Sequence, residues 1–152
     1  MAEAATEVWF YHLERTGLEQ ALPELLEKTL QRGWKALVRL REAERLAKLD
    51  AWLWSYRDDS FLAHGADDDA AAARHPILLT TGFENRNAAD ALFLVDGADP
   101  GELTGFARCV VLFDGGDEAQ LAVARAQWSA IKATGVPVSY WKQQARGWEK
   151  QA

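Results

Sequence analysis

Cysteine is nearly missing from this chain, and the single one, Cys109, lies inside an apolar run. A disulfide within the chain is therefore excluded, and a reducing compartment is the natural setting. No His or acidic residue stands at a spacing that would make a nucleophile of Cys109, so it reads as a small buried hydrophobe. An excess of basic charge is missing too. The 17 Lys and Arg are outnumbered by 23 Asp and Glu, and the net charge is -6. General nucleic-acid binders are rich in basic patches, so a DNA-related role here would run through protein contacts or one local basic pocket. No apolar run approaches a membrane span, and Met1 to Glu7 shows no basic region followed by an apolar stretch. The expected location is the cytoplasm, with no membrane contact.

The usual signatures of chemistry are also lacking. There is no Gly-rich loop ending in Gly-Lys-Ser/Thr, no G-x-G-x-x-G fingerprint and no Gly-x-Ser-x-Gly elbow. His12, His64 and His75 fall on separate elements, with no zinc spacing between them. The Asp67-Asp68-Asp69 run lacks the Gly and Glu of a calcium loop and reads as a solvated loop. The first strand runs into Glu14-Arg15-Thr16-Gly17, which offers no cradle of backbone N–H groups. The turn Asp114-Gly115-Gly116 opens a helix, but Asp114 and Asp117 put negative charge where a phosphate would sit. No metal, cofactor or catalytic set is expected.

What is present is an ordinary globular pattern with a surplus of tryptophan. The 152 residues fit one domain, 1–152, with no internal repeat or clear linker. Val8 to Leu13 (V-W-F-Y-H-L) reads as a strand. Leu18, Leu22, Leu25, Leu26 and Leu30 recur at helical spacing up to Gly33, with Pro23 early enough for its missing N–H to cost little. Ala36 to Leu40 is a second strand, and Ala43 to Tyr56 a second amphipathic helix. Strand, helix, strand, helix argues for an α/β protein: a mostly parallel sheet flanked by helices. Arg57 to His75 reads as a surface loop. Pro76 to Thr81, Ala91 to Val95 and Phe106 to Phe113 are further strands. Asp117 caps a helix from Glu118 to Thr134, stopped by Gly135 and Pro137. Pro137 to Lys142 is a last short strand before a polar tail.

Seven tryptophans exceed what a core of this size needs, and tryptophan is enriched at docking hot spots. Two groups stand out. Arg125, Trp128 and Lys132 share one face of the last helix, with Leu121 a turn earlier. Such a face suits a carboxylate beside an aromatic side chain. The bland alternative is a core Trp128 and a solvated Arg125. Trp52 and Trp54, two apart, cannot share a helix face, so one is expected inside and one outside. Phe61 follows in the segment Ser60-Phe61-Leu62-Ala63-His64-Gly65. Trp54 and Phe61 form either an exposed patch or, if the loop folds back, part of the core.

In these places the chain resembles the chi subunit family of the DNA polymerase III clamp-loader complex. The likeness extends over most of the chain: V-W-F-Y-H-L, Leu49 to Trp54, Asp59 to Gly65, His75-Pro76-Ile77, Asn87 through A-L-F-L-V, the strand to Phe113, and the helix with Arg125 and Trp128. It implies an α/β fold like a mononucleotide-binding one but without a working nucleotide site. It also implies two partners, the acidic C-terminal tail of single-stranded DNA-binding protein and the psi subunit, with a helicase meeting the psi-facing surface. By position, Arg125 would pair with the terminal carboxylate of the tail, Trp128 would pack on its last apolar residue, and Phe113 would close the pocket. Leu121 replaces a basic residue of some relatives, and Lys132 stands near enough to compensate. Trp54 and Phe61 would face psi. Two rival readings remain: a nucleotide-binding enzyme or sensor centred on Gly115 and Gly116, and a direct single-strand binder stacking bases on its tryptophans.

Overall fold

Apolar residues occupy both parities of most strands, so these strands bury both faces, as strands of a parallel sheet do. In the computed structural model, which describes residues 6–55, 64–66, 72–103, 105–144 and 147–151, they form one sheet of eight strands. The order along the chain is β1 (Glu7–Leu13), α1 (Leu18–Gln31), β2 (Ala36–Arg39), α2 (Ala43–Ser55), β3 (His64–Ala66), β4 (Ile77–Thr80), β5 (Ala91–Leu94), β6 (Arg108–Asp114), α3 (Glu118–Ala133), β7 (Val138–Gln144) and β8 (Gly147–Lys150). Across the sheet the order is β3-β4-β2-β5-β6-β1-β7-β8. Every pairing is parallel except β7 with β8.

Strand periodicity sorts the core into two layers. Tyr11, Leu13, Val38, Leu79, Phe93 and Leu112 meet Leu22 and Leu26 of α1 and Leu49 and Leu53 of α2 on one face. Val8, Phe10, Leu37, Leu92, Cys109, Val111 and Phe113 meet Ala124 and Ile131 of α3 on the other. Cys109 is fully buried, and burial pushes its thiol up to about 12, so it is an inert core residue.

Three boundaries differ from expectation. The span read as a loop from Arg57 to His75 contains β3, three residues too short to show a period. The final strand is longer, at Val138–Gln144, and half of the polar tail returns as β8. There Trp148 packs at 4.5 Å between ring centroids on Tyr11. Pairing with an edge, which local composition does not reveal, makes a strand of this polar segment.

Pro23 sits in the second turn of α1, not at its start. Its missing N–H frees the carbonyl of Glu19, and the indole N–H of Trp52 donates to that oxygen at 2.7 Å. This corrects the inside/outside expectation for the tryptophan pair. Trp52 is 36% exposed and Trp54 56% exposed. Trp52 is held at the surface by a polar bond and clamps α2 to α1. Trp52→Phe keeps the ring but strands the carbonyl, and is expected to lower the urea midpoint by the equivalent of about 1 kcal/mol.

Candidate functional site

β1 and β6 are neighbours whose outgoing connections diverge. α1 leaves β1 on one face toward β2, and α3 leaves β6 on the other toward β7. Open α/β sheets bind ligands in the crevice at such a switch point, beyond the carboxyl ends of the strands. Here that crevice is filled by the protein itself. The backbone N–H groups of Glu14, Arg15 and Thr16 converge on Gln143 Oε1 at 3.1, 2.7 and 3.0 Å. Gln143 Nε2 donates in turn to Thr16 Oγ1 at 2.7 Å. This corrects the reading that the loop offers no cradle. The cradle exists, and an amide oxygen from β7, more than a hundred residues away in sequence, occupies it.

The amides at the start of α3 are engaged in the same way. Asp114 Oδ1 accepts from Gly116 N at 2.8 Å, and Asp117 Oδ1 accepts from Ala119 N and Gln120 N at 3.0 and 3.1 Å. Asp117 is thus the expected N-cap. Gly115 N donates to Leu13 O at 2.9 Å, and a side chain at Gly115 would run into the His12 ring. Gly115 admits the imidazole, and the turn leaves no open phosphate cradle.

The open space lies beside the crevice, between α3 and the strands. A cavity of about 490 Å³ is lined by Phe113, Leu121, Ala124, Arg125, Trp128, Ser129 and Tyr140. Register sets the strand ends beneath and beside it. Phe113, His12 and Lys142 stand side by side on β6, β1 and β7, and one row back stand Val111, Phe10 and Tyr140. Trp128 is half-buried and presents edges to Phe10 and Tyr140, at 5.4 and 5.8 Å. Phe113 is buried, 6.0 Å from Tyr140. Arg125 is exposed at the rim and makes no ion pair among the described residues. Trp128 thus packs on the core with one part of its ring and walls an open cavity with another.

Three of the four residues expected here, Phe113, Arg125 and Trp128, line this cavity. Lys132 does not. It lies outside, with Nζ 5.7 Å from the centroid of the Trp128 ring, and its charge sits over the indole. Leu121 adds an apolar, methyl-bearing wall.

Sequence reasoning missed Tyr140 and His12. Tyr140 belongs to a half-buried strand whose partner is set by tertiary pairing. His12 was legible, since V-x-F-x-H alternation puts it on the face of Val8 and Phe10. Its Nε2 is 3.4 Å from Glu14 Oε1, and its Nδ1 shares a short hydrogen bond with the Tyr140 hydroxyl. Glu14 also pairs with Lys142 at 3.3 Å. Burial lowers the His12 pKa below its ordinary value of about 6.5. Glu14 opposes that shift, while Lys142 and Arg125 reinforce it. Burial likewise raises Tyr140. Below about pH 6.5 the unfolded chain binds a proton at this position more readily than the folded one, so stability falls as pH drops toward the depressed value. His12→Gln is expected to remove that component, read as a smaller loss of urea midpoint between about pH 7.5 and about pH 5 than in the parent.

The second expected group is split. Trp54 is exposed, its ring 4.4 Å from that of His64. Phe61 lies outside the described residues. Among the described residues no group of three or more His, Cys, Asp or Glu is placed to hold a metal, and no helix is long and apolar enough to cross a membrane.

An open, mostly parallel sheet with helices on both faces, a self-filled switch point, and an aromatic cleft with a guanidinium at its rim define the class of this α/β protein. Within that class, the sequence model of the family described as DNA polymerase III chi subunit, HolC, matches residues 5–139, and the chain belongs to that family. It is 27% identical over 89 residues to the probable DNA polymerase III subunit chi of Rickettsia prowazekii, covering 59% of this chain and 54% of that protein. It is 30% identical over 94 residues to DNA polymerase III subunit chi of Pseudomonas aeruginosa, covering 61% of this chain and 64% of that one. The chain thus matches less than two thirds of the length of either relative.

Proposed function

We propose that this chain is a non-catalytic accessory subunit of DNA polymerase III, an adaptor that links coated single strands to the clamp loader in the cytoplasm. Its cleft on α3 receives the acidic C-terminal tail of single-stranded DNA-binding protein, and the surface around Trp54 and Phe61 receives the psi subunit or a helicase. The observation that carries the reading is the exposed Arg125 beside a cavity walled by Trp128, Phe113 and Tyr140. A planar guanidinium offers a fork to a chain-terminal carboxylate, and the three rings offer a dry wall to the last apolar side chain. Lys132 adds positive field outside the cleft toward the tail's aspartates.

The test is a titration with the C-terminal peptide of the host's single-stranded DNA-binding protein, followed by tryptophan fluorescence or heat. Saturable binding near micromolar, roughly -8 kcal/mol, is expected, because a short tail buries little surface. It should weaken as salt rises, and it should vanish when the terminal apolar residue is removed. No binding of the intact peptide would overturn the assignment of the cleft. The rival nucleotide reading at Gly115 and Gly116 is disfavoured by the amides already satisfied there.

A further inference from the structure

A second cavity, of about 370 Å³, opens on the opposite face of the sheet, beside the C-terminal end of α1 and the starts of β1 and β6. Its construction is unlike that of a leftover gap. Lys28, Arg32 and Arg108 all line it. The Arg108 guanidinium lies 3.9 Å over the Trp9 ring and 5.3 Å from that of Trp34, and the Arg32 guanidinium lies 4.1 Å over the Trp34 ring. None of the three cations makes an ion pair among the described residues. Arg108 Nε is buried with no hydrogen-bond partner. The carboxylate of Glu7 favours the charge on Arg108, but burial and the like charge of Arg32 act more strongly against it. Folding therefore gathers three positive charges and an orphaned donor around an aromatic hollow, in a chain that is acidic as a whole. Like charges brought together without a counter-ion cost free energy, and a bound anion removes that cost.

We propose that this hollow is a binding site for a nucleotide phosphate, separate from the cleft on α3. Three cations suit the double charge of a phosphate monoester better than a single carboxylate. Guanidinium planes and indoles at its walls suit a nucleobase, which stacks on either surface. Trp148 of β8 lines one side, and its tilted ring contact with Tyr11 holds it there. The two sites lie on opposite faces, so each can be lost without the other.

The test is a tryptophan-fluorescence titration of the full chain with adenosine 5′-monophosphate, with adenosine and inorganic phosphate as controls. Saturable binding of the monophosphate is expected, tighter than either control. Arg32→Gln, an exposed change, and Arg108→Gln should each weaken it about tenfold or more, the effect of losing one charged hydrogen bond. Arg125→Ala should leave it unchanged. A short single strand with and without a 5′-phosphate identifies the source. If only the phosphorylated strand binds, and binds more tightly than the mononucleotide, the ligand is a strand end; if the mononucleotide binds more tightly than either strand, it is a free nucleotide. The proposal is overturned if the monophosphate does not bind, if adenosine binds as tightly, or if Arg32→Gln binds as the parent does.

Discussion

Arg125→Ala is expected to eliminate measurable binding of the single-stranded DNA-binding protein tail while leaving the fold intact. The guanidinium stands exposed at the rim of the cleft and supports nothing in the core. Its removal should therefore change stability by no more than about 0.5 kcal/mol. A charge-assisted bond to the tail carboxylate contributes about 1.5–3 kcal/mol. Taking that from a complex near micromolar moves it toward a dissociation constant of about a hundred micromolar. Calorimetry at tens of micromolar would then record no saturable heat, and an unchanged urea midpoint would show that the variant is folded. Trp54→Ala is the matching control: it should keep tail binding and lose capture of psi. Normal tail affinity in Arg125→Ala would remove the carboxylate from this rim.

Arg39→Met is expected to have the largest effect on stability. Arg39 is 2% exposed, within the buried strand β2. Its guanidinium donates to the carbonyls of Gly82, Pro100, Asp99 and Phe83 at 2.7, 2.8, 3.2 and 3.4 Å. It also lies 4.9 Å from the centroid of the Phe83 ring, which is 63% exposed. One side chain thus ties two long connections to the carboxyl end of the sheet. Burial lowers its pKa, but no other side chain is charged in all states and forked widely enough to serve four carbonyls. Methionine fills the volume and leaves the acceptors unsatisfied, at a cost of about 3 kcal/mol or more. Against a total of about 5–15 kcal/mol, that is a large fraction. Urea unfolding measures it, and Arg39→Lys should fall between, since an ammonium reaches fewer of the four. A loss below about 1 kcal/mol in the methionine variant would mean that the connections hold themselves.

Most elements were legible because their signals are local. Leucine spacing marks α1, and the Asp-Gly-Gly turn with its Asp117 cap marks the start of α3. The apolar runs A-L-V-R-L, I-L-L-T and A-L-F-L mark strands buried on both faces. The Arg125-Trp128 face was legible for the same reason, since residues three apart on a helix must be neighbours. Elements whose identity depends on a partner were not. β3 has three residues, and β8 is mostly polar. Each is a strand only because an edge accepts it.

The same division runs through the sites. By itself the sequence determined an α/β chain without a Gly-rich phosphate motif, with an inert cysteine and with a cationic-aromatic stripe on its last helix. These follow from composition and from periods of two and 3.6 residues. Only the tertiary structure decided that Gln143 fills the cradle after β1, that Tyr140, hydrogen-bonded to His12, lines the cleft, and that Trp52 answers the carbonyl freed by Pro23. It alone gathered Arg32 and Arg108 around Trp9 and Trp34. In each case the partners are far apart in sequence, joined by strand order and crossover, and local periodicity carries no record of which strands become neighbours.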